Sequence, residues 1–212
     1  MTARTLVIET ATAACSVALI EQGAVIAAAH EVVGRGHAER LVPMIAELPD
    51  GGRAPRILVD CGPGSFTGVR VGIAAARGLA LGWGAEAFGY SSLSLVAAAG
   101  FARNPGWSSL AVVLEGGHGE VFMQSFTARP LAEDGPFRSL APAGALAALG
   151  GRVAVGSGVR HLAALDPSRD LRETLPRAAD AVLLPPGFAS LPPRPIYGRA
   201  PDAKTLAERE GA

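Results

Sequence analysis

Lysine is almost missing from this chain: among 212 residues Lys204 is the only one, and all other positive side chains are arginine. A phosphate-binding P-loop, which needs Gly, four residues and then Gly-Lys-Ser/Thr, is thereby excluded. Cysteine is nearly as scarce. Cys15 and Cys61 have no metal-ligand spacing and are too few for a disulfide framework, which fits a reducing cytosol, so both read as small buried residues. The four histidines, His30, His37, His118 and His161, do not form the paired spacing of a zinc helix, and no metal is expected. Net charge is absent as well: 19 basic and 19 acidic residues sum to +0. There is no overall basic field to hold RNA or anionic lipid, so a nucleic-acid role would need a partner. Long apolar runs are also lacking, since the stretch from Ile73 to Leu81 is broken by Arg77 and falls short of the roughly 20 residues that span a bilayer. The opening Met1-Thr2-Ala3-Arg4 leads straight into a short apolar segment without the pattern of a secretory leader. A cytoplasmic protein without a membrane segment is expected.

What is present is core. Hydrophobic residues make up 49% of the chain, ample for a globular α/β protein. Thr5–Glu9, Ser16–Ile20 and Ala24–His30 read as three strands joined by short turns, an antiparallel meander. Leu41, Ile45 and Leu48 recur at helical spacing and predict a helix over His37–Leu48 in spite of Pro43. Arg56–Cys61 then reads as a strand and Thr67–Gly82 as a second helix. The order β-β-β-α-β-α is that of the ribonuclease-H-like unit found twice in actin-like ATPases. Leu110–Glu115, a glycine loop and Glu120–Phe126 echo the first hairpin, each first strand ending in an acid, Glu9 or Glu115. Val153–Gly158 supplies another strand and turn, but the remainder is short and rich in proline. The expectation is two lobes, residues 1–105 and an abbreviated 106–212.

Between the fourth strand and the second helix lies the densest cluster of special residues, Cys61-Gly62-Pro63-Gly64-Ser65-Phe66-Thr67-Gly68-Val69-Arg70-Val71-Gly72. A dinucleotide fingerprint would put its third glycine where Thr67 stands, and a nucleophile elbow would flank Ser65 with glycines where Pro63 and Thr67 stand. Two readings of the turn stay open. One is a strand-to-helix turn capped by Ser65 or Thr67; the other is a vestigial or shared phosphate site built from Glu9, Gly64, Ser65 and Thr67.

These residues resemble the TsaB family, the small-subunit group of the actin-like superfamily once classed with M22 glycoproteases. The string Gly62 to Arg70 is the most specific match. Cys15-Ser16-Val17-Ala18-Leu19, Gly34-Arg35-Gly36-His37-Ala38-Glu39-Arg40-Leu41, Gly119-Glu120-Val121-Phe122 and Pro195-Ile196-Tyr197-Gly198-Arg199-Ala200-Pro201-Asp202-Ala203-Lys204 extend it over most of the chain. The resemblance implies a subunit without catalytic residues of its own. Such a subunit is required for threonylcarbamoyladenosine formation in tRNA beside the anticodon, pairs with the catalytic paralogue TsaD, supports binding of the ATPase TsaE, and meets tRNA only through the complex. It further implies no nucleotide bound independently and a place for ATP or ADP at the complex interface, while a helical surface made for a structurally similar partner is a candidate for self-pairing into a homodimer in isolation. The paired helices would carry the docking surface, with His37, Leu41, Ile45, Val69, Arg70, Ile73 and Arg77 as partner-binding candidates. Small residues at Gly72, Ala74, Ala75, Ala76 and Gly78 permit close backbone approach by a partner or by the protein's own sheet.

Glu9 and Glu115 stand where the family usually has Asp, a departure that argues against independent hydrolysis. Two other classes of function compete. A stand-alone M22-like peptidase or small-molecule hydrolase would use Cys61 as nucleophile with His37 near it. An independent ATP-dependent kinase of the same superfamily would bind nucleotide without a partner.

Overall fold

The structure is a computed structural model and describes residues 4–197 of the 212. The motif residues Gly198 to Lys204 lie outside the described residues. Strands β1 (Thr5–Glu9), β2 (Ala14–Glu21) and β3 (Ala24–Val32) form the expected meander, and β4 (Arg56–Asp60) joins β1 in parallel, followed by β5 (Glu86–Tyr90). The sheet order is β3-β2-β1-β4-β5. Its two central strands, β1 and β4, are apolar on both faces, so Leu6 and Ile8 point one way and Val7 the other, all fully buried. Such continuous hydrophobic strands occur where both faces of a sheet are covered.

One face is covered by α1 (His37–Ala46) and α2 (Phe66–Trp83), which bury Leu41, Met44, Ile45, Val69, Ile73 and Ala76 against it. Helix α1 survives Pro43 because that residue is exposed, and a 3-10 turn, Pro49–Gly52, follows it. Helix α2 starts on Ser65, whose hydroxyl accepts the Gly68 N–H at 3.1 Å, and stops at Gly84, whose φ of 65° is the left-handed conformation that glycine adopts without cost.

The other face packs on α3 (Ser92–Arg103), which the sequence reading missed together with β5. Residues Ser92 to Ala99 are all buried, so α3 has no polar stripe to reveal its period. It lies between two sheets: Leu95 packs with Val7, Leu58 and Tyr90, whereas Leu93, Val96 and Ala97 pack with Leu110, Val112, Leu114 and Phe126 of the second sheet. That sheet contains β6 (Ser109–Glu115), β7 (Val121–Thr127), β8 (Ala132–Glu133), β9 (Arg138–Leu140), β10 (Ala154–Val155) and β11 (Leu171–Arg172), in the order β11-β10-β6-β7-β8 with β9 also on β7. Short helices α4 (Pro142–Ala148) and α5 (Val159–Ala163) cover its outer face. The layers, helix pair, sheet, α3, sheet, helix pair, make the two-lobed actin-like fold, with the second lobe abbreviated.

The tail does not stay with the second lobe. After β11 the chain crosses back: a 3-10 turn, Ala178–Leu183, packs on the first sheet, and the Ala178 N–H donates to Ser16 Oγ at 3.1 Å. Leu191 then pairs with Gly89 at the edge of β5. The expected lobe of residues 106–212 is therefore discontinuous in space. Because Leu93 is fully buried between the lobes, Leu93→Ala is expected to cost about 2–5 kcal/mol. Urea titration followed by both Trp fluorescence and circular dichroism should show one shared, lowered midpoint.

Candidate functional site

The glycine turn is locked against the loop joining β1 to β2. Ser65 N–H donates to the Ala11 carbonyl at 2.7 Å, and Thr10 Oγ1 donates to the Gly68 carbonyl at 2.9 Å. A Cβ at Gly64 would lie 2.1 Å from the Ala11 carbonyl oxygen and one at Gly68 2.1 Å from that of Thr10. Glycine is required at both positions by this close backbone approach. The turn also directs its own N–H groups inward, Gly62 to Asp60 at 2.6 Å and Gly68 to Ser65 at 3.1 Å. Of the two readings, the capped turn is the one formed. The four residues of the phosphate-site expectation do not converge on one open site: Glu9 is buried beneath the turn, Gly64 is jammed on Ala11, and of the two exposed residues Ser65 spends its hydroxyl on the Gly68 N–H as the cap, leaving Thr67.

Beneath the turn lies a sealed acid pair. Glu9 ends β1 and Asp60 ends β4, adjacent parallel strands, and both are wholly buried. Ser92 Oγ bridges them, 3.1 Å from Glu9 Oε2 and 2.9 Å from Asp60 Oδ1. Tyr90 Oη lies 3.0 Å from Glu9 Oε2 and 3.1 Å from the Ile8 carbonyl. Asp60 additionally accepts from the backbone N–H groups of Thr10 and Gly62, and Glu9 accepts only that of Ala11. Burial pushes both carboxyls above their ordinary range, Glu9 much further because its neighbour Asp60 adds repulsion and it has fewer backbone donors. One hydroxyl hydrogen on each of Tyr90 and Ser92 cannot serve two acceptors. A proton on Glu9 removes the conflict: Tyr90 then donates to Ile8, Ser92 to Asp60, and Asp60 alone carries the buried charge. Sequence reading singled out Glu9 but not Asp60, Tyr90 or Ser92. The last two belong to the stretch where β5 and α3 went unread; Asp60, an acid closing an apolar strand as Glu9 does, was the one legible signal.

The cleft between the lobes, about 350 Å³, is lined by Pro63, Ser91, Ser94, Gln124, Phe137 and Phe188 among others, with Glu133 as its one charged lining residue. A triphosphate is held by cations or free backbone donors, and none of the described side chains lining this cleft is a cation. The second lobe's acid is engaged too, since Glu115 pairs with Arg160 and faces His161 at 3.7 Å. Among the described residues no group of three or more His, Cys, Asp or Glu is placed to hold a metal.

The peptidase pair is not assembled. Cys61 is buried, its thiol pushed up to about 12 by burial and the nearby Asp60, and it donates weakly to the carbonyls of Val59 and Pro192. His37 is also buried, its Nε2 2.9 Å from the Thr12 carbonyl and 3.2 Å from that of Ala14. It is not the partner contact that was expected but a brace on the β1–β2 loop. Leu41, Ile45, Val69 and Ile73 likewise belong to the lobe's own core, which corrects their assignment as direct partner contacts. Arg70 and Arg77 do share one side of α2, where they hold Tyr197 and the Pro193 carbonyl of the returning tail.

These assignments predict opposite outcomes for two isosteric changes. Glu9→Gln, neutral like the protonated acid, should leave stability at pH 5 nearly unchanged, whereas Asp60→Asn sets an amide against N–H donors and should cost about 1–3 kcal/mol. Because Glu9 binds a proton more tightly folded than unfolded, wild-type stability should fall as pH rises above the ordinary glutamate value of about 4.3. Urea midpoints across pH 5 to 8 should decline less in Glu9→Gln than in wild type.

Residues 26–131 match the family model described as TsaD, tRNA N6-adenosine threonylcarbamoyltransferase. The tRNA threonylcarbamoyladenosine biosynthesis protein TsaB of Escherichia coli is 37% identical over 128 residues, 58% of this chain and 54% of that protein. The TsaB of Haemophilus influenzae is 41% identical over 101 residues, 45% of this chain and 42% of that protein. The chain thus spans about half the length of these two curated relatives, while an uncharacterized Mycobacterium bovis protein is 30% identical over 95% of this chain and 94% of its own. Among solved structures, a Pseudomonas aeruginosa protein described as similar to peptidase YeaZ superposes with a TM-score of 0.77 at 28% identity, over 94% of this chain and 100% of that one. The structure titled YeaZ from the same organism gives 0.76 at 26%, over 93% and 100%. The chain belongs to the family of the tRNA N6-adenosine threonylcarbamoyltransferase TsaD and is a TsaB-like member of it.

Proposed function

We propose that this chain is the non-catalytic subunit that tRNA threonylcarbamoyladenosine formation requires, and that it acts by docking the catalytic TsaD paralogue on the outer faces of α1 and α2. The observation that carries the reading is a matched pair of small-residue stripes. Ala38, Val42 and Ala46 recur every four residues along exposed α1, and Ala74, Gly78 and Gly82 do so along exposed α2. A Cβ built at Gly78 or Gly82 meets nothing within 4 Å, so the protein's own packing does not require glycine there. Glycine in a helix interior costs about 1 kcal/mol relative to alanine, and ridges along every fourth residue are what two helices interdigitate. Val42 at 55% exposure and Leu81 at 88% add apolar area that water does not favour. The occluded acids, the cation-free cleft and the inert Cys61 support the absence of chemistry in this chain alone. Among the described residues they count against the hydrolase and kinase readings. TsaE recruitment, and any ATP or ADP held at the interface, would then be properties of the assembled complex.

Gly78→Arg tests the surface. Its melting temperature should equal or exceed wild type, while association with the TsaD paralogue, read by size-exclusion chromatography, should be lost. Reconstitution with TsaD, TsaE and the adenylate-forming enzyme should give modified tRNA with wild type and little with the variant; full modification without this chain would refute the reading.

A further inference from the structure

At the start of α2 a guanidinium lies between two bare rings. The Arg70 guanidinium carbon is 3.3 Å from the Phe66 ring centroid and 5.2 Å from that of Tyr197. Its two terminal nitrogens donate to the Phe66 carbonyl at 2.8 Å and to the Tyr197 hydroxyl at 2.9 Å, which fixes the plane. Phe66 is nevertheless 70% exposed and Tyr197 61%. Two turns further on, Arg77 donates to the Pro193 carbonyl at 2.7 Å, and Arg194 is exposed on the same returning tail. Among the described residues none of these three arginines is paired with a carboxylate, in contrast to Arg40, Arg103 and Arg160. Arg70 and Arg77 touch only uncharged oxygens, which orient a guanidinium without neutralising it.

Two large rings left in water, a guanidinium stacked on one and hydrogen-bonded to the hydroxyl of the other, and unneutralised positive charge at their side form a combination with a defined chemical complement. Unpaired RNA has bases that stack on aromatic and guanidinium planes and phosphates that seek arginine. An acidic peptide would answer the charge but leave the two rings without a partner. The seven residues separating Arg70 from Arg77 place them about 10 Å apart along the helix, about three base steps of a stacked strand. We propose that Phe66, Arg70 and Tyr197, flanked by Arg77 and Arg194, form a contact for a single-stranded segment of RNA, one base stacking on the rings and the neighbouring phosphates meeting the arginines. This contact rests on the reading of the chain as a tRNA-modifying subunit, and it supplements RNA held by the assembled complex, since the chain as a whole has no net charge.

The test is fluorescence anisotropy of a labelled unmodified tRNA transcript titrated with the complex of this chain and its TsaD paralogue. Phe66→Ala and Tyr197→Ala should each weaken binding about fivefold or more, with Phe66→Trp retaining it, and Arg77→Gln should weaken it and lower the salt slope by about one. Heterodimer elution and melting temperature should stay at wild-type values. Curves superimposable on wild type for Phe66→Ala and Arg77→Gln would overturn the proposal, and so would loss of RNA binding that only follows loss of the heterodimer, which would make the patch a protein contact. A chain that proves dispensable for modification refutes the subunit reading instead, so the two failures are distinguishable.

Discussion

A single buried charge organises this lobe. Asp60 sits where the β1–β2 loop, the glycine turn and the start of α3 converge, and it accepts from each of them: Thr10 N–H, Gly62 N–H and Ser92 Oγ. An ionised carboxylate in an apolar interior persists only with such donors. The dependence is mutual, since backbone N–H groups buried at the strand ends would be unpaired without it. Because Gly62 opens the turn that Ser65 closes as the cap of α2, the position of α2 traces back to this carboxylate.

The same constraint sets how the acids at the strand ends are used. In a two-lobed fold that hydrolyses nucleotide, acids at the ends of the first strands must reach solvent and a metal. Here Glu9 reaches into the protein instead, its extra methylene bringing the carboxyl to Tyr90 and Ser92. Glu115, its counterpart in the second lobe, is turned to Arg160 at the surface. Two hairpins with the same topology therefore engage their terminal acids in two different ways, one buried and one in a surface ion pair.

Much of this was legible from the residues, and the boundary of what was legible has a physical cause. The meander, α1, α2 and the second-lobe hairpin announced themselves through period and turn chemistry. Helix α3 did not, because a helix buried on every side has no polar face to mark its repeat, and β5 disappeared with it. For the site, Glu9 was readable by its place at a strand end, whereas Tyr90 and Ser92 are distant in sequence and meet it only through parallel pairing of β4 with β5. Leu41, Ile45, Val69 and Ile73 were picked for their helical spacing, yet spacing shows which residues share a face and not which way that face points. Gly78 and Gly82, on the opposite side, acquire meaning only once the emptiness around them is visible.

The return of the chain to the first sheet has a mechanical consequence. The lobes are joined at α3 and again by the tail, where Ala178 is fastened to Ser16, Leu191 to Gly89, and the Ala189 carbonyl accepts from Arg56. Two crossings, fastened at separate points, constrain rotation of one lobe against the other more than one would. The second lobe is thereby anchored on the first sheet at both of its ends, through α3 and through the returning tail.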